Sequence, residues 1–291
     1  MTLHHLEIFL AVCQEKTTHA AAEVLNLSQP AVSKAISDLE NHYNIKLFER
    51  INHRLYLTQV GEILQSHAWK ILDQYKEMED EISLKGKSEH IRIGASLSVG
   101  TCLLPKYIQK MQTTLEKLTC EVIVNNTSII ESKIENYQLD VGIVEGYINN
   151  KNFIVKQIEE DELVLVAKAS HPLSAKKEVD CTDLEKYPFI TREDGSSNRN
   201  QFEIYLKEQK VNLQTNYSCS SVEAIKQALL YTDGISVLSK MMVTEEIKKG
   251  VLTVLPFKDM QFKRPIILIY HKNKYISKSM KVFFDILEQK I

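Results

Sequence analysis

Gln29, Ser33, Lys34 and Ser37 recur at helical spacing on the polar side of one short segment, and they are residue types that read nucleic-acid bases. A glutamine amide pairs bidentately with adenine, a serine hydroxyl serves either base, and a lysine reaches guanine or a backbone oxygen. Arg50 and Arg54 follow in a short basic stretch, suited to phosphate contacts. A second cluster, Thr191 to Arg199, holds Gly195, Ser196, Ser197 and Asn198 between Arg192 and Arg199. Backbone N–H groups from Gly195 to Asn198 could cradle an anion, and either arginine could pair with a carboxylate or a sulfur oxyanion. The competing reading is that Ser196 or Ser197 caps a helix and the arginines pair with Glu193 or Asp194.

The first cluster needs a helix pair to present it. Ala20 to Leu27 is an alanine-rich helical pattern that stops at Asn26 and Leu27, with Thr18 just before it. Ser28 then stands at an N-cap position, and Pro30 sits just inside the new helix, where its missing N–H costs nothing. Ala31, Val32, Ala35, Ile36 and Leu39 form the opposite, apolar face. A solvated helix is the bland alternative, and the cap, the helix pair and the wing together argue against it.

The second cluster needs strands. Beyond Lys85, Gly86, Lys87 and Ser88, read as a hinge, strands and helices alternate. Strands are expected at His90 to Ala95, Cys120 to Asn125, Val141 to Val144, Leu163 to Ala167, Phe189 to Ile190, Ile235 to Leu238 and Ile266 to Tyr270. Helices are expected at Gly100 to Leu115, Ile129 to Tyr137, Arg199 to Gln209, Val222 to Tyr231, Met241 to Lys248 and Lys278 to Gln289. Ligands of such sheets sit beyond the carboxyl ends of strands, against helix N-termini. Ser96 with Ser98, and Asn126 with Thr127, occupy two further junctions of that kind. Glu145, at the end of a buried strand, would repel an anion unless a cation neutralises it; otherwise it recognises an amine or lies outside the pocket.

Between the two parts, Thr58 to Ser83 spaces Val60, Leu64, His67, Ile71, Tyr75, Met78 and Ile82 at alternating threes and fours. A near-heptad seam on an isolated helix predicts pairing with a second copy; packing on its own domain is the alternative.

The net charge is −2, and residues 1–58 carry five Lys and Arg against six Asp and Glu, so no generic cationic clamp is present. Cys13, Cys102, Cys120, Cys181 and Cys219 show no CxxC or metal-ligand spacing. Cys102 falls early in an expected helix, where the dipole could lower its pKa, though packing is the favoured reading for all five. No signal peptide or membrane span is visible, which predicts a cytoplasmic protein with reduced thiols. Ser96, Ser98, Ser196 and Ser197 have no nearby histidine, and His171 precedes Pro172 in a loop, so no catalytic triad is expected.

The string Ala21, Ala22, Leu25, Ser28, Gln29, Pro30, Ala31, Val32, Ser33, Ile36, Leu39, Glu40, then Leu47, Phe48, Arg50, Leu57, Thr58 and Gly61 resembles the winged helix-turn-helix of LysR-type transcriptional regulators. Asn44 stands where that family usually has glycine, and Asn tolerates the left-handed conformation well; His19 replaces a small or basic residue. The resemblance implies a winged helix-turn-helix head over 1–58, a dimerising linker helix and hinge over 59–87, and an α/β effector domain over 88–291. That domain would have the two-lobed type-2 periplasmic-binding-protein-like fold, with lobe I at 91–161 plus 266–291 and lobe II at 162–265. The lobes would be joined by strands crossing near Glu160 to Leu163 and Phe262 to Pro265. It further implies double-stranded operator DNA, a small and anionic effector, a homodimer or homotetramer and contact with RNA polymerase, with no cofactor, metal or membrane.

Val141 to Gly146, Asp161 to Leu163 and the Thr191 cluster resemble the subgroup tied to sulfur and cysteine metabolism, which implies a sulfur oxyanion or small sulfur metabolite as effector. The alternative is a ligand-binding protein or enzyme built on the two lobes, with the head serving only for recruitment.

Overall fold

The structure is a computed structural model that describes residues 1–82, 89–211, 213–257 and 262–289; Ser83 and the expected hinge at Lys85 to Ser88 lie outside them. The chain divides into two compact units, one built around 1–87 and one formed by 88–134 with 139–291.

The smaller unit holds helices α1 (Leu3–Glu15), α2 (Thr18–Leu25) and α3 (Gln29–Tyr43), a hairpin of β1 (Phe48–Ile51) and β2 (Arg54–Leu57), and α4 (Gln59–Ile82). Helix α1 was not expected from the sequence; it supplies Leu6, Phe9, Leu10 and Val12 to the core, and Phe9 meets Phe48 with ring centroids 5.3 Å apart. Helix boundaries follow local chemistry. Thr17 caps α2, Ser28 caps α3, and Asn26 and Asn44 end them in the left-handed conformation at φ 55° and 51°. The hairpin turns at Asn52 and His53, both at positive φ, as a two-residue turn of this twist requires. Glu40 ties α3 to the hairpin, accepting from Lys46 Nζ and, at 2.9 Å, from the Leu47 N–H.

Helix α4 starts where Thr58 Oγ1 accepts from the Gly61 N–H and donates to the Lys46 carbonyl. One residue of the expected seam, Leu64, lies elsewhere. Leu64 packs with Ala68, Trp69 and Leu72 against the head core, because residues four apart share a face and that face already has a partner. Ile63 replaces it on the outer stripe with Val60, Ile71, Tyr75, Met78 and Ile82, all exposed. The 3.6-residue period puts both stripes on one helix, and spacing alone did not separate them.

In the larger unit, β3 (Glu89–Ala95) leads to α5 (Leu97–Cys102), α6 (Leu104–Thr114), β4 (Leu118–Val124), α7 (Thr127–Glu135) and β5 (Val141–Glu145). The single helix expected over Gly100 to Leu115 is two, breaking at Leu103 just before Pro105 opens α6. Then come β6 (Phe153–Lys168), α8 (Cys181–Leu184), β7 (Phe189–Arg192), α9 (Ser197–Glu208), β8 (Thr215–Cys219), α10 (Val222–Tyr231), β9 (Ser236–Ser239), α11 (Lys240–Lys248), β10 (Leu252–Val254), β11 (Phe262–His271) and α12 (Lys278–Glu288).

β4, β3 and β5 are parallel neighbours, as the alternating pattern required; β11 joins β5 antiparallel, and β6 joins β11 antiparallel. β6 spans 16 residues, much longer than the strand expected at Leu163 to Ala167. Its first half lies in one core with α6, α12 and β3; its second half pairs with β9 and β10 over another core. β6 and β11 therefore run from one lobe into the other. Their register pairs Phe262 with Leu163, Lys263 with Glu162, Arg264 with Asp161 and Pro265 with Glu160.

Candidate DNA-reading face and ligand cleft

Helix α3 buries Val32, Ala35, Ile36 and Leu39 and turns Gln29, Pro30, Lys34 and Ser37 outward, with Ser33 half-buried. Ala31, expected on the buried face, is exposed in the first turn. Gln29 Nε2 donates to Thr18 Oγ1 at 3.1 Å and to Ser33 Oγ at 2.8 Å, which ties the amide to the start of α2 and to the next turn of α3. Lys34, Arg50 and Arg54 are exposed, the arginines on the two strands of the wing. Thr18, Ser28, Gln29, Pro30, Ser33, Lys34 and Ser37 thus lie on or beside one surface formed by the starts of α2 and α3.

In the larger unit the expected cluster converges between the lobes. Ser96, Ser98, Asn126, Thr127, Glu145, Arg192, Ser196 and Ser197 all line a cavity of about 10 Å³, room for about one water. Gly195 does not line it. It takes φ 81°, and its carbonyl and that of Asp194 turn to α7, accepting from Ser128 Oγ at 3.4 Å and Asn126 Nδ2 at 3.3 Å. The Asp194 and Gly195 carbonyls thus latch one lobe to the other, while the N–H groups of Ser197 and Asn198 lie in the first turn of α9.

Arg192 is buried and engaged bidentately by Glu193, at 2.8 and 3.0 Å, while Arg199 pairs with Asp194 and Glu203. The competing reading of the arginines is the one the geometry contains. Ser196 occupies the N-cap position of α9 without a capping side-chain bond.

The cation of the site is one that sequence reasoning missed. Arg264 is fully buried; its Nε and Nη2 lie 2.8 and 2.6 Å from Asp161 Oδ2, its Nη1 donates to Asn198 Oδ1, and its Nη2 stands 3.6 Å from Glu145 Oε1. Ser239 Oγ completes Asp161 at 2.9 Å. Burial pushes the Asp161 carboxyl up, against the pull of Arg264 and Ser239. Glu145 is thus neutralised in part, which answers the objection its charge raised, yet its Oε1 accepts no hydrogen bond, and neither does Ser96 Oγ make one. Both are buried and both line the cavity. Unpaired buried polar atoms of this kind cost about 1–3 kcal/mol each unless something pairs with them.

Cys102 is the last residue of α5, where the dipole does not lower a thiol; burial, with Asp161 and Glu145 nearby, raises its pKa. Its Sγ lies 3.6 Å from the Met241 carbonyl, a packing role. His171 is buried at the start of a 3₁₀ turn, its Nε2 3.2 Å from the Asp233 carbonyl, and does not line the cavity.

Residues 3–62 match the family described as "Bacterial regulatory helix-turn-helix protein, lysR family", and residues 85–291 match the "LysR substrate binding domain". The chain belongs to the LysR family of transcriptional regulators. Among curated relatives, the HTH-type transcriptional regulator CysL of Bacillus subtilis is 28% identical over 288 residues, covering 97% of this chain and 95% of the relative. A probable RuBisCO transcriptional regulator of Phaeodactylum tricornutum is 32% identical over 300 residues, covering 99% and 96%.

Among solved structures, a full-length OxyR from Pseudomonas aeruginosa superposes with TM-score 0.73 at 24% identity, covering 99% of this chain and 94% of that one, and shows the fold. The CcmR regulatory domain of Synechocystis PCC6803, in complex with 2-PG, gives TM-score 0.65 at 25% identity over 69% of this chain and 97% of that one.

This LysR-type regulator therefore combines a DNA-binding head with an effector-binding domain. No helix among its described residues is long and apolar enough to cross a membrane. The residues missed from sequence, Arg264 and Ser239, had a readable signal in one case: Arg264 is the last cation before the apolar run Ile266 to Ile269, and drawing the crossing strands in register places it opposite Asp161.

Proposed function

We propose that this regulator reads a two-fold symmetric operator as a dimer, or as a pair of dimers, with Gln29 and Lys34 on base edges and Arg50 and Arg54 on phosphates. The observation that carries this is the Gln29, Thr18 and Ser33 network, which fixes the orientation of an exposed amide at the start of α3. Ordering a glutamine in advance removes the entropy of doing so on binding. The exposed stripe Val60, Ile63, Ile71, Tyr75, Met78 and Ile82 is the surface a second copy would cover. Selection of binding sites from a random duplex library tests the reading: an enriched inverted repeat supports it, and recovery of unrelated sequences opposes it.

The effector enters between the lobes, where the starts of α7 and α9 favour an anionic group, and Glu145 Oε1 with Ser96 Oγ favour a hydrogen-bond donor on the same molecule. A cavity of about 10 Å³ is too small for it, so binding requires the Asn126 and Ser128 latch to open. CysL among the relatives favours a sulfur metabolite or sulfur oxyanion, and the 2-PG complex of CcmR favours 2-PG and its analogues. Differential scanning fluorimetry of the full chain against both classes separates them, since a ligand stabilises by mass action. The curated relatives are transcriptional regulators, which favours a domain that binds its ligand without turning it over. The protein acts in the cytoplasm, where its operator is, and signals to RNA polymerase from there.

A further inference from the structure

Lobe II contains a second and much larger cavity, about 300 Å³, between α9 and strands β7, β8 and β9. It opens to solvent, and ligand pockets begin at about this size. Phe189, Phe202, Leu206 and Val237 form its apolar wall, with Phe189 and Phe202 stacked at 5.2 Å. Arg199, Glu203 and Lys207, one turn apart along α9, form its rim.

One rim cation lacks a carboxylate partner among the described residues. Arg199 pairs through Nε with Glu203 and through Nη1 with Asp194 and the Arg192 carbonyl, whereas Lys207 makes no ion pair among the described residues. Arg192 and Asn198 line both this cavity and the inter-lobe one, so the first turn of α9 separates two distinct spaces.

We propose that this lobe II cavity is a second small-molecule site, separate from the inter-lobe cleft, for a monocarboxylate with an aromatic or short branched apolar body. The body packs on Phe189, Phe202 and Leu206, and the carboxylate takes Lys207 Nζ and Arg199 Nη2. Charge-assisted bonds from two donors select the anion over its neutral analogue.

Isothermal titration calorimetry of the full chain with 3-phenylpropionate tests this, with 3-phenylpropan-1-ol as the uncharged control. The alcohol should bind roughly tenfold more weakly or worse. Leu206→Trp, which fills the cavity, and Lys207→Glu, an exposed position that leaves the core untouched, should each weaken 3-phenylpropionate by about tenfold or more, while Ser98→Ala, in the cleft, should change it by less than about twofold. Absence of binding at millimolar 3-phenylpropionate would overturn the proposal. So would binding that survives Lys207→Glu, or that is lost with Ser98→Ala.

Discussion

Arg264 and Asp161 are register partners on the two strands that run between the lobes, with Nη2 2.6 Å from Oδ2 and neither side chain exposed to solvent. A guanidinium in that place does more than close one ion pair. It also faces Glu145 and holds Asn198 at the start of α9, so residues of both lobes meet on one cation.

Arg264→Gln should therefore destabilise the effector domain by about 3–5 kcal/mol, because it leaves buried carboxylates uncompensated. Urea unfolding measures this. Adding Asp161→Asn should recover a large part of the loss, and strictly additive effects would show that the two residues do not act as a pair.

Asp140 gives a pH dependence of known sign. Burial pushes its carboxyl up, but Arg92, through its side chain and its N–H, and Lys274 outweigh that and hold the pKa at about 2 against 3.8. Because the folded pKa is the lower one, the stabilisation is present above pH 4 and is lost as pH falls towards 2. It amounts to about 2 kcal/mol. Thermal unfolding of Asp140→Asn against wild type should show a stability gap that narrows over that window; a constant gap would remove Asp140 as its source.

Gly61 is required by contact. A Cβ there would lie 2.2 Å from the Leu47 carbonyl oxygen, a backbone atom held between α3 and α4. Gly61→Ala should lower the stability of the head by about 2 kcal/mol or more in spite of alanine's better helix propensity. Guanidinium denaturation of the full chain, followed by the fluorescence of Trp69 on α4, reports it.

The two sets of DNA residues should separate by their salt dependence. Arg50→Ala and Arg54→Ala are expected to weaken binding to all sequences and to reduce the salt slope by about 1 each. Gln29→Ala should cost about 1–3 kcal/mol on the operator and little on unrelated DNA. Fluorescence anisotropy at several salt concentrations distinguishes them, and equal losses on both DNAs for Gln29→Ala would remove it from base reading.

What the sequence made legible follows the physics of each part. Ser28, Asn44 and the α3 pattern are local signals, decided by capping and periodicity within one helix, and the structure has them as read except at Ala31. The convergence of Ser96, Asn126, Glu145 and Ser196 was also readable, since each ends a strand or starts a helix. Arg264, Asn198 and the Gly195 carbonyl depend on which strand lies beside which and how a loop turns, and those are long-range facts that no local window contains. Leu64 was placed on the outer stripe for a related reason: one helix carries two apolar stripes, and only the presence of the head core says which is already covered.

DNase I footprinting of the promoter regions flanking the gene for this protein, with wild type beside Gln29→Ala, tests sequence-specific reading most directly. The expected result is a protected, two-fold symmetric site at low salt that fades with Gln29→Ala while effector-domain stability is unchanged. Absence of any specific protection by the folded wild-type protein, or protection untouched by the substitution, would contradict it.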